Sequence, residues 1–401
     1  MSRPMAEIQA MTALSVPASR PRDIEGVRVT VHSTRDTALA AVDALPRDIV
    51  CSGYQTPAFL RAWLRHSPHQ PAFITLAAEG AGPVLLPLEH VGGNALVYVG
   101  ERHANGNFPV GRAGDIKALA AAGEAAIVAA LCAAQPDAHA IVLERQLPEC
   151  RGIANPFIFE RSTVSPNPAL SLSLEGGFDA VLSRHSAKRK RKRFRGQERD
   201  LNEIGGYTYV PMVEADRVED TMKRCLALKA QHFEAAGIQD VFAEDHVQAF
   251  FNEIFLEGAH GEPHSYVLKT IEADGKQIAI SACTCHDGRL TVEFSTYDPA
   301  YRDYSPGDML FFLSIREAAE NGGEIYDFGV GDELFKRNWC EIETWQRDTI
   351  IPLSTRGRAL AATRSVRNAL VRSLKQNKKL WQTAKKIRRA VPIMRIGNRH
   401  T

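Results

Sequence analysis

The 401-residue chain is poor in cysteine and has no long hydrophobic run. Its seven cysteines are scattered and odd in number, which argues against a disulfide framework and indicates reducing surroundings. No 18 consecutive residues are apolar, so the sequence predicts no membrane span, and the amino terminus lacks the apolar core of a secretory signal. These absences predict a globular cytoplasmic protein with residues 1–24 as a disordered arm.

Closely spaced cysteine and histidine ligands for a metal are also scarce. Cys283 and Cys285 share one face of a strand pattern and His286 follows them, but a zinc site needs further ligands nearby. We therefore predict no metal.

Charge is distributed unevenly, although the net charge is only +2. Residues 184–199 contain nine Lys or Arg and one Glu, a charge of +8, and residues 356–401 contain fourteen and no acid, a charge of +14. The remaining residues therefore carry −20, so an acidic body bears two basic segments. A solvated helix, a site for an anionic ligand and a nucleic-acid site remain open for the first segment, with nucleic acid the less favoured partner.

The second basic segment contains spaced apolar residues, which predicts an amphipathic helical tail over residues 356–401. Such a helix binds either an anionic membrane surface or the acidic body. The tail therefore allows a peripheral location at the inner face of the membrane.

Hydrophobic periodicity predicts the same order of elements in both halves. The first half reads as a strand (26–33), helices (35–45 and 56–66), strands (72–77, 83–90 and 95–100), a helix (115–135) and a strand (138–144). The second half reads as a strand (169–174), a long helix (178–203), a strand (207–213), helices (216–235 and 244–256) and a hairpin (266–285). We predict a mixed α/β fold with a degenerate first domain over 25–165 and a working second domain over 166–355.

The stretch from Leu290 to Trp339 combines three chemical signals. An alternating strand ends near Thr296, a turn over 304–309 feeds a helix that ends at Glu320, and a short strand over 324–328 precedes a second helical start at 334–339. A glycine-containing turn before a helix presents unpaired backbone N–H groups, which suit a phosphate or pyrophosphate. We therefore place the candidate site here.

The motifs of this stretch resemble a known family. Tyr-Asp at 297–298, Ser-Pro-Gly at 305–307, Asp-Phe-Gly at 327–329, Gly-Asp-Glu at 331–333, and Phe-Lys and Trp at 335, 336 and 339 are similar to the CelD/BcsL-type acetyltransferases of cellulose and exopolysaccharide synthesis. That family is a branch of the GNAT acyltransferases, so the resemblance implies two tandem GNAT-like domains and acetyl-CoA as co-substrate. The Asp-Phe-Gly does not indicate a kinase, because no kinase-type Gly-rich loop or His-Arg-Asp precedes it.

The resemblance implies the donor-binding loop, while the carboxylates Glu293, Asp327 and Asp332 are candidates for handling the proton because each lies at or near a proposed strand end; the family does not settle which of them is the general base. Acyl transfer needs an oriented acceptor, a path for its proton and hydrogen bonds to the developing oxyanion. The candidate catalytic residues are Glu293, Tyr297 and Asp327, although Asp327 serves equally well as a brace for its loop. The candidate donor-binding residues are Tyr304, Ser305, Gly307, Asp308, Met309 and Lys336, and Asp332 and Trp339 are the candidates for acceptor binding.

The acceptor implied by the resemblance is an amine or hydroxyl of a glycan or small envelope-related molecule. The polar loop over residues 100–109 is either a wall of the substrate cleft or a solvated loop. Two other functions stay open: an aminoacyl-tRNA-dependent transferase of the FemABX type, and a non-catalytic accessory protein at the membrane surface.

Overall fold

The computed structural model describes residues 21–92, 95–134, 137–261 and 265–376. Within these residues the main elements of 27–146 and of 208–330 run in the same order: a strand, two helices, antiparallel strands, a helix and a parallel strand. The second half has a further strand and two helices before this order begins. The first half contains β1 (Arg22–Ile24), β2 (Val27–His32), α1 (Arg35–Asp43), β3 (Ile49–Val50), α2 (Pro57–His66), β4 (Phe73–Ala78), β5 (Val84–Leu86), β6 (Leu88–Val91), β7 (Ala95–Tyr98), β8 (Gly111–Arg112), α3 (Ala113–Ala133), β9 (Ala140–Gln146), β10 (Glu149–Cys150), β11 (Ile153–Ala154) and β12 (Thr163–Val164).

The second half begins after β12 and contains a seven-stranded sheet. Its elements are β13 (Ala169–Ser173), α4 (Gly177–Arg184), α5 (Ala187–Asn202), β14 (Thr208–Val210), α6 (Val218–Ala236), α7 (Asp245–His260), β15 (Tyr266–Ala273), β16 (Lys276–His286), β17 (Arg289–Tyr297), α8 (Pro306–Glu320), β18 (Ile325–Val330), α9 (Leu334–Arg337), β19 (Ile342–Thr344), β20 (Arg347–Pro352) and α10 (Thr355–Gln376).

The two halves share one supersecondary unit, a parallel strand pair connected through a helix. In the first half β7 and β9 are parallel and α3 connects them, and in the second half β17 and β18 are parallel and α8 connects them. Parallel neighbours require such a crossover, usually a helix. The predicted mixed α/β fold with tandem GNAT-like halves is confirmed.

Strand β20 of the second half belongs to a sheet of the first half. The first half contains a four-stranded sheet of order β1-β2-β4-β5 and a five-stranded sheet of order β12-β20-β9-β7-β6, and the second half contains the sheet β14-β15-β16-β17-β18-β13-β19. Strand β20 comes at the end of the second half but pairs antiparallel with β9, whereas β13, at the start of the second half, pairs antiparallel with β18 in the second-half sheet. Residues 347–352, assigned from the sequence to the second domain, therefore complete the sheet of the first half.

A shared aromatic core joins the halves. Helix α2 packs on α7, where the rings of Phe59 and Trp63 each lie 5.0 Å from the ring of Phe250. The hydroxyl groups of Thr56 and Tyr266, 2.8 Å apart, add a polar contact across the same junction. Because these groups are buried together, the junction is continuous with the core of each half.

Two local predictions need correction. Residues 22–24, placed in the disordered arm, form β1 and pair with β2; residues 1–20 of that arm lie outside the described residues. The predicted helix over 178–203 is two helices, because Ser186 adopts a left-handed conformation (φ 60°) between α4 and α5. A left-handed residue cannot continue a right-handed helix.

Among the described residues, α3 is the one helix that is long and apolar enough to cross a membrane. Its side chains Ile116, Leu119, Ile127 and Leu131 are buried in the first-half core, and the chain bends at Gly123 (φ 86°). A core helix of this composition passes the same test, so α3 is weak evidence for a membrane span.

The basic tail begins as α10. Leu360 packs beside β7 and β9, and Arg364 forms an ion pair of 3.2 Å with Glu144. The start of the helix thus contacts the body, while residues 377–401 lie outside the described residues.

Candidate active site

A gap opens between β17 and β18 at their carboxyl ends. The strands pair from Arg289↔Ile325 to Thr291↔Asp327, but β17 continues to Tyr297 and β18 to Val330 without further pairing to each other. Gly329 has a φ of 70°, and the N–H of Gly331 donates to the carbonyl of Pro168 at 2.9 Å, which draws the end of β18 toward β13. The unpaired strand edges can therefore accept an extended ligand.

Glu293 is the extra residue of a β-bulge beside this gap. On β17, Val292 pairs with Cys283 and Phe294 pairs with Ala282, so Glu293 has no partner in the register of β16. A bulge bends a strand and re-aims its side chains. Glu293 lies two positions beyond the last pair with β18 and lines the cavity described below.

The surroundings of Glu293 make its carboxyl a weak acid. Burial raises its pKa to about 7, and the nearby Asp327 carboxylate adds to the rise. Hydrogen bonds from Thr284 (Oγ1 to Oε1, 2.6 Å) and from the hydroxyl of Tyr54 oppose it, because they favour the charged form. A carboxyl with a pKa near 7 exchanges its proton readily at neutral pH, as a general base requires.

A cavity of about 650 Å³ extends from this gap to the first half. Arg102, His103 and Asn105 of the predicted polar loop contribute one wall, so this part of the loop faces the cavity. Further lining comes from α6, the segment over 241–251, β17, the turn before α8, and residues 328–336. The cavity therefore contains groups from both halves.

The turn before α8 offers fewer free backbone N–H groups to an anion than the sequence suggests. Ser305 has a φ of 50°, Pro306 has no N–H, and the N–H groups of Asp308 and Met309 donate to the carbonyl of Ser305. Within the described residues this leaves the N–H of Gly307 without an acceptor in the first turn. The carboxylate of Asp308 is paired with Arg193, which limits its repulsion of an anion.

Six of the residues predicted from the sequence line the cavity: Glu293, Tyr297, Ser305, Gly307, Asp308 and Lys336. The ring of Tyr297 lies 4.9 Å from that of His232, and a β-carbon on Gly307 would lie 3.7 Å from Tyr297. Lys336 is 8 % exposed, donates to the carbonyl of Val330 at 2.9 Å and pairs with Glu333 at 3.0 Å. Its ammonium group is thus held in the cavity wall.

The other five predicted residues do not line this cavity. The Asp327 carboxylate accepts from the N–H of Gly329 (2.7 Å) and from Arg289 (2.8 Å), so it braces the end of β18. The remaining four have these surroundings: Met309 is fully buried in the core, Tyr304 packs near Tyr301, Asp332 pairs with Arg337, and Trp339 packs on Phe312.

Sequence reasoning missed Lys229 and His232, which line the cavity, and Tyr54, which is not part of its lining. Tyr54 contacts Glu293 from the other half, and Lys229 and His232 are one turn apart on α6. The helical period predicts α6 but not which of its polar residues face a cavity. For Tyr54 the signal was a weak one, since Tyr-Gln-Thr-Pro at 54–57 belongs to the looser part of the resemblance.

A second cavity, of about 350 Å³, lies along the basic helix α5. It is lined by Arg189, Lys190 and Arg193 together with aromatic rings, and it shares Asp308 and Phe335 with the first cavity. The ammonium group of Lys190 lies 3.3 Å from the centre of the Trp339 ring, and burial lowers the pKa of Lys190 to about 8, with the neighbouring arginines adding to the effect. This groove suits an anionic ligand with an aromatic or apolar part.

Comparison with known proteins supports the interpretation that the second half is GNAT-like. Residues 188–337 match the family described as Acetyltransferase (GNAT) domain. No protein of curated function is similar to the chain in sequence.

Among solved structures, the C-terminal domain (DUF2156) of a protein from Agrobacterium fabrum, assigned as a lysylphosphatidylglycerol synthetase, superposes with a TM-score of 0.51 at 12 % identity, covering 83 % of this chain and 97 % of that one. FemX superposes with a TM-score of 0.49 at 13 % identity, covering 79 % and 96 %. A tandem GNAT protein of the clavulanic acid pathway gives 0.39 at 11 % identity, covering 82 % and 99 %. Residues 188–337 therefore match the GNAT acetyltransferase family, within a chain of tandem GNAT-like fold.

Proposed function

We propose that the chain transfers an acyl group, most simply acetyl from acetyl-CoA, to an amine or hydroxyl, with Glu293 as the general base. The observation that carries the proposal is the position of Glu293: a carboxyl with a pKa of about 7, on a bulge, beside the gap between β17 and β18. Its ionised form removes the proton from the acceptor as the new bond to the acyl carbon forms.

The roles of the other cavity residues in the proposed reaction follow from their positions in the cavity lining. The thioester arm of the donor occupies the gap, and its pyrophosphate meets the N–H of Gly307 and the side chain of Arg302, both in the cavity lining. Tyr297 gives a proton to the departing thiolate, a role supported by its position in the cavity lining beside Gly307. The acceptor then enters from the wall formed by the first half.

Envelope polysaccharide metabolism, at the cytoplasmic face of the membrane, is the setting we propose from the motifs at 297–339. The basic tail that follows β20 is the feature that supports a membrane surface. Vesicles containing anionic lipid should therefore sediment the full chain, whereas a variant ending at residue 376 should stay in the supernatant.

The test is calorimetric titration with acetyl-CoA and CoA of the wild type and two variants. Gly307→Trp places a large ring in the cavity at a position where a β-carbon has room, and its far-UV circular dichroism should match that of wild type. Gly114→Trp, at an exposed position outside the cavity, is the matched control. Binding by the wild type and the control, but not by Gly307→Trp, supports the donor site; no heat with folded wild type removes the CoA-dependent function.

A second candidate function is aminoacyl transfer from tRNA. The observation that favours it is the basic groove along α5, which adjoins the main cavity and offers more cationic groups than one pyrophosphate needs. A gel-shift titration with charged tRNA, using wild type and an Arg189→Ala/Arg193→Ala variant, separates the two candidates. Tight tRNA binding that the variant loses, with no heat from CoA, would favour aminoacyl transfer.

A further inference from the structure

Lys229 on α6 is a cation in the main cavity with no anionic partner of its own. Within the described residues its ammonium group forms no ion pair or hydrogen bond, and its near neighbours are the rings of Phe233 (4.9 Å) and Phe242 (5.8 Å). Burial lowers its pKa. A cation held among aromatic rings without a counter-ion retains most of its desolvation cost.

The two carboxylates that act on Lys229 are already occupied. Glu333 forms an ion pair of 3.0 Å with Lys336, and Asp240 accepts the backbone N–H of Phe242 at 2.9 Å. Both favour the charged lysine through space, but neither touches it. An anion that enters the cavity would therefore gain an unshared charge partner.

His232 supplies a second unmatched group one turn away. Its Nδ1 lies 3.2 Å from the hydroxyl of Thr296, while its buried Nε2 has no hydrogen-bond partner within the described residues. Buried polar atoms without partners are rare in proteins, and a ligand is one common explanation. The ring itself lines the cavity.

Lys229 and His232 lie between the wall formed by the first half and the turn before α8. Phe242, whose ring is 5.8 Å from the ammonium group of Lys229, has its ring 5.1 Å from that of His103 in the first half. Arg102 and Asn105 of the same loop also line the cavity. The ring of His232 packs on Tyr297, which borders the turn assigned to the donor.

We propose that Lys229 and His232 bind a carboxylate or phosphate of the acceptor, so that the acceptor is an anionic compound carrying the reacting amine or hydroxyl. The assignment to the acceptor rests on the proposed function. The bound anion forms an ion pair with the ammonium group of Lys229, and the Nε2–H of His232 donates a hydrogen bond to the anion. The charge so fixed orients the nucleophile, as a positioning contact does.

The test uses three small amines as probes: phosphoethanolamine, β-alanine and ethanolamine. The shift in Tm that each produces, at matched ionic strength, is measured for wild type, Lys229→Met, Lys229→Arg and Lys223→Met. Lys223 is an exposed lysine on the same helix and serves as the control. Lys229→Met removes the charge while keeping an apolar side chain suited to the aromatic surroundings, and Lys229→Arg restores the charge.

We expect an anionic probe to raise the Tm of wild type, Lys229→Arg and Lys223→Met, and to bind Lys229→Met at least about tenfold more weakly. A response to phosphoethanolamine alone identifies a phosphate, and a response to β-alanine alone a carboxylate; ethanolamine should have no effect. Equal shifts in wild type and Lys229→Met, or no shift in any variant, would overturn the proposal.

Calorimetry with acetyl-CoA on the same variants separates the two proposals. Retained acetyl-CoA binding in Lys229→Met supports a role in acceptor binding, whereas loss of that binding would assign the lysine to the donor and overturn the inference. If acetyl-CoA binds no variant, the proposed function fails, and the probe results still decide whether Lys229 binds an anion.

Discussion

The ionisation of Glu293 should make the stability of the folded chain depend on pH. Its pKa is about 7 in the fold against an ordinary value of 4.5, so the folded state binds this proton more tightly than the unfolded state. The stabilisation is fully present below about pH 4.5 and is lost as the pH rises through 7. The pKa is raised by about 2.5, and each pKa unit corresponds to about 1.4 kcal/mol, so the full loss of stabilisation is about 3 kcal/mol.

Glu293→Gln removes the ionisation while keeping the shape of the side chain and an oxygen for Thr284. The assay is urea unfolding of wild type and variant at pH 5, 6, 7 and 8. The free energy of unfolding of the variant, relative to wild type, should increase by about 2.5 kcal/mol between pH 5 and pH 8. Wild type loses stability over this range because the unfolded state releases the Glu293 proton more readily than the fold does, whereas the variant carries no such proton in either state.

Glu214→Gln, a change at an exposed carboxylate, is the control and should show no such trend. If the Glu293→Gln difference is also flat with pH, Glu293 titrates near its ordinary value. The argument that it is a base poised near neutral pH would then be refuted.

Three further predictions concern other contacts. Tyr54→Phe removes a hydrogen bond that holds the pKa of Glu293 down, so the midpoint of the pH–rate profile of acyl transfer should rise by about 1–2 pH units; an unchanged midpoint would contradict the contact. Lys269→Met removes a 2 % exposed cation from Glu317 (2.7 Å) and should lower the free energy of unfolding in urea by about 2–4 kcal/mol, whereas no loss would mean that water already screens the pair. Gly258→Ala puts a β-carbon 2.4 Å from a backbone oxygen of β15, so calorimetry should show a lower Tm and a cost of about 1–3 kcal/mol; an unchanged Tm would show that α7 can shift away.

Local sequence signals predicted the elements around the site because they depend on near neighbours. The alternation over 290–296 predicted β17, and the Ser-Pro-Gly turn predicted the start of α8. Glu293 was a candidate because it is a carboxylate in that strand near its predicted end. Each of these features is fixed by residues within about one helical turn or one strand length.

The features that depend on distant residues could not be predicted in this way. The bulge at Glu293 depends on the register with β16, and its raised pKa depends on burial in the assembled fold and on the Asp327 carboxylate of a different strand. The break at Ser186 is a left-handed residue within a strongly helical composition, which periodicity does not detect. The partner of β20 was missed because strand pairing across the chain has no local signature.

The position of β20 in a sheet of the first half has a consequence for how the protein is made. While the ribosome is still producing the second half, the edge of β9 that β20 will cover has no partner strand along Ala140 to Leu143. The first half is therefore the last to be completed, although it is the first to be synthesised. A nascent chain that pauses before residue 352 therefore has an unpaired edge on β9, which can pair with another chain and aggregate. Pairing with β20 covers this edge once synthesis has passed residue 352.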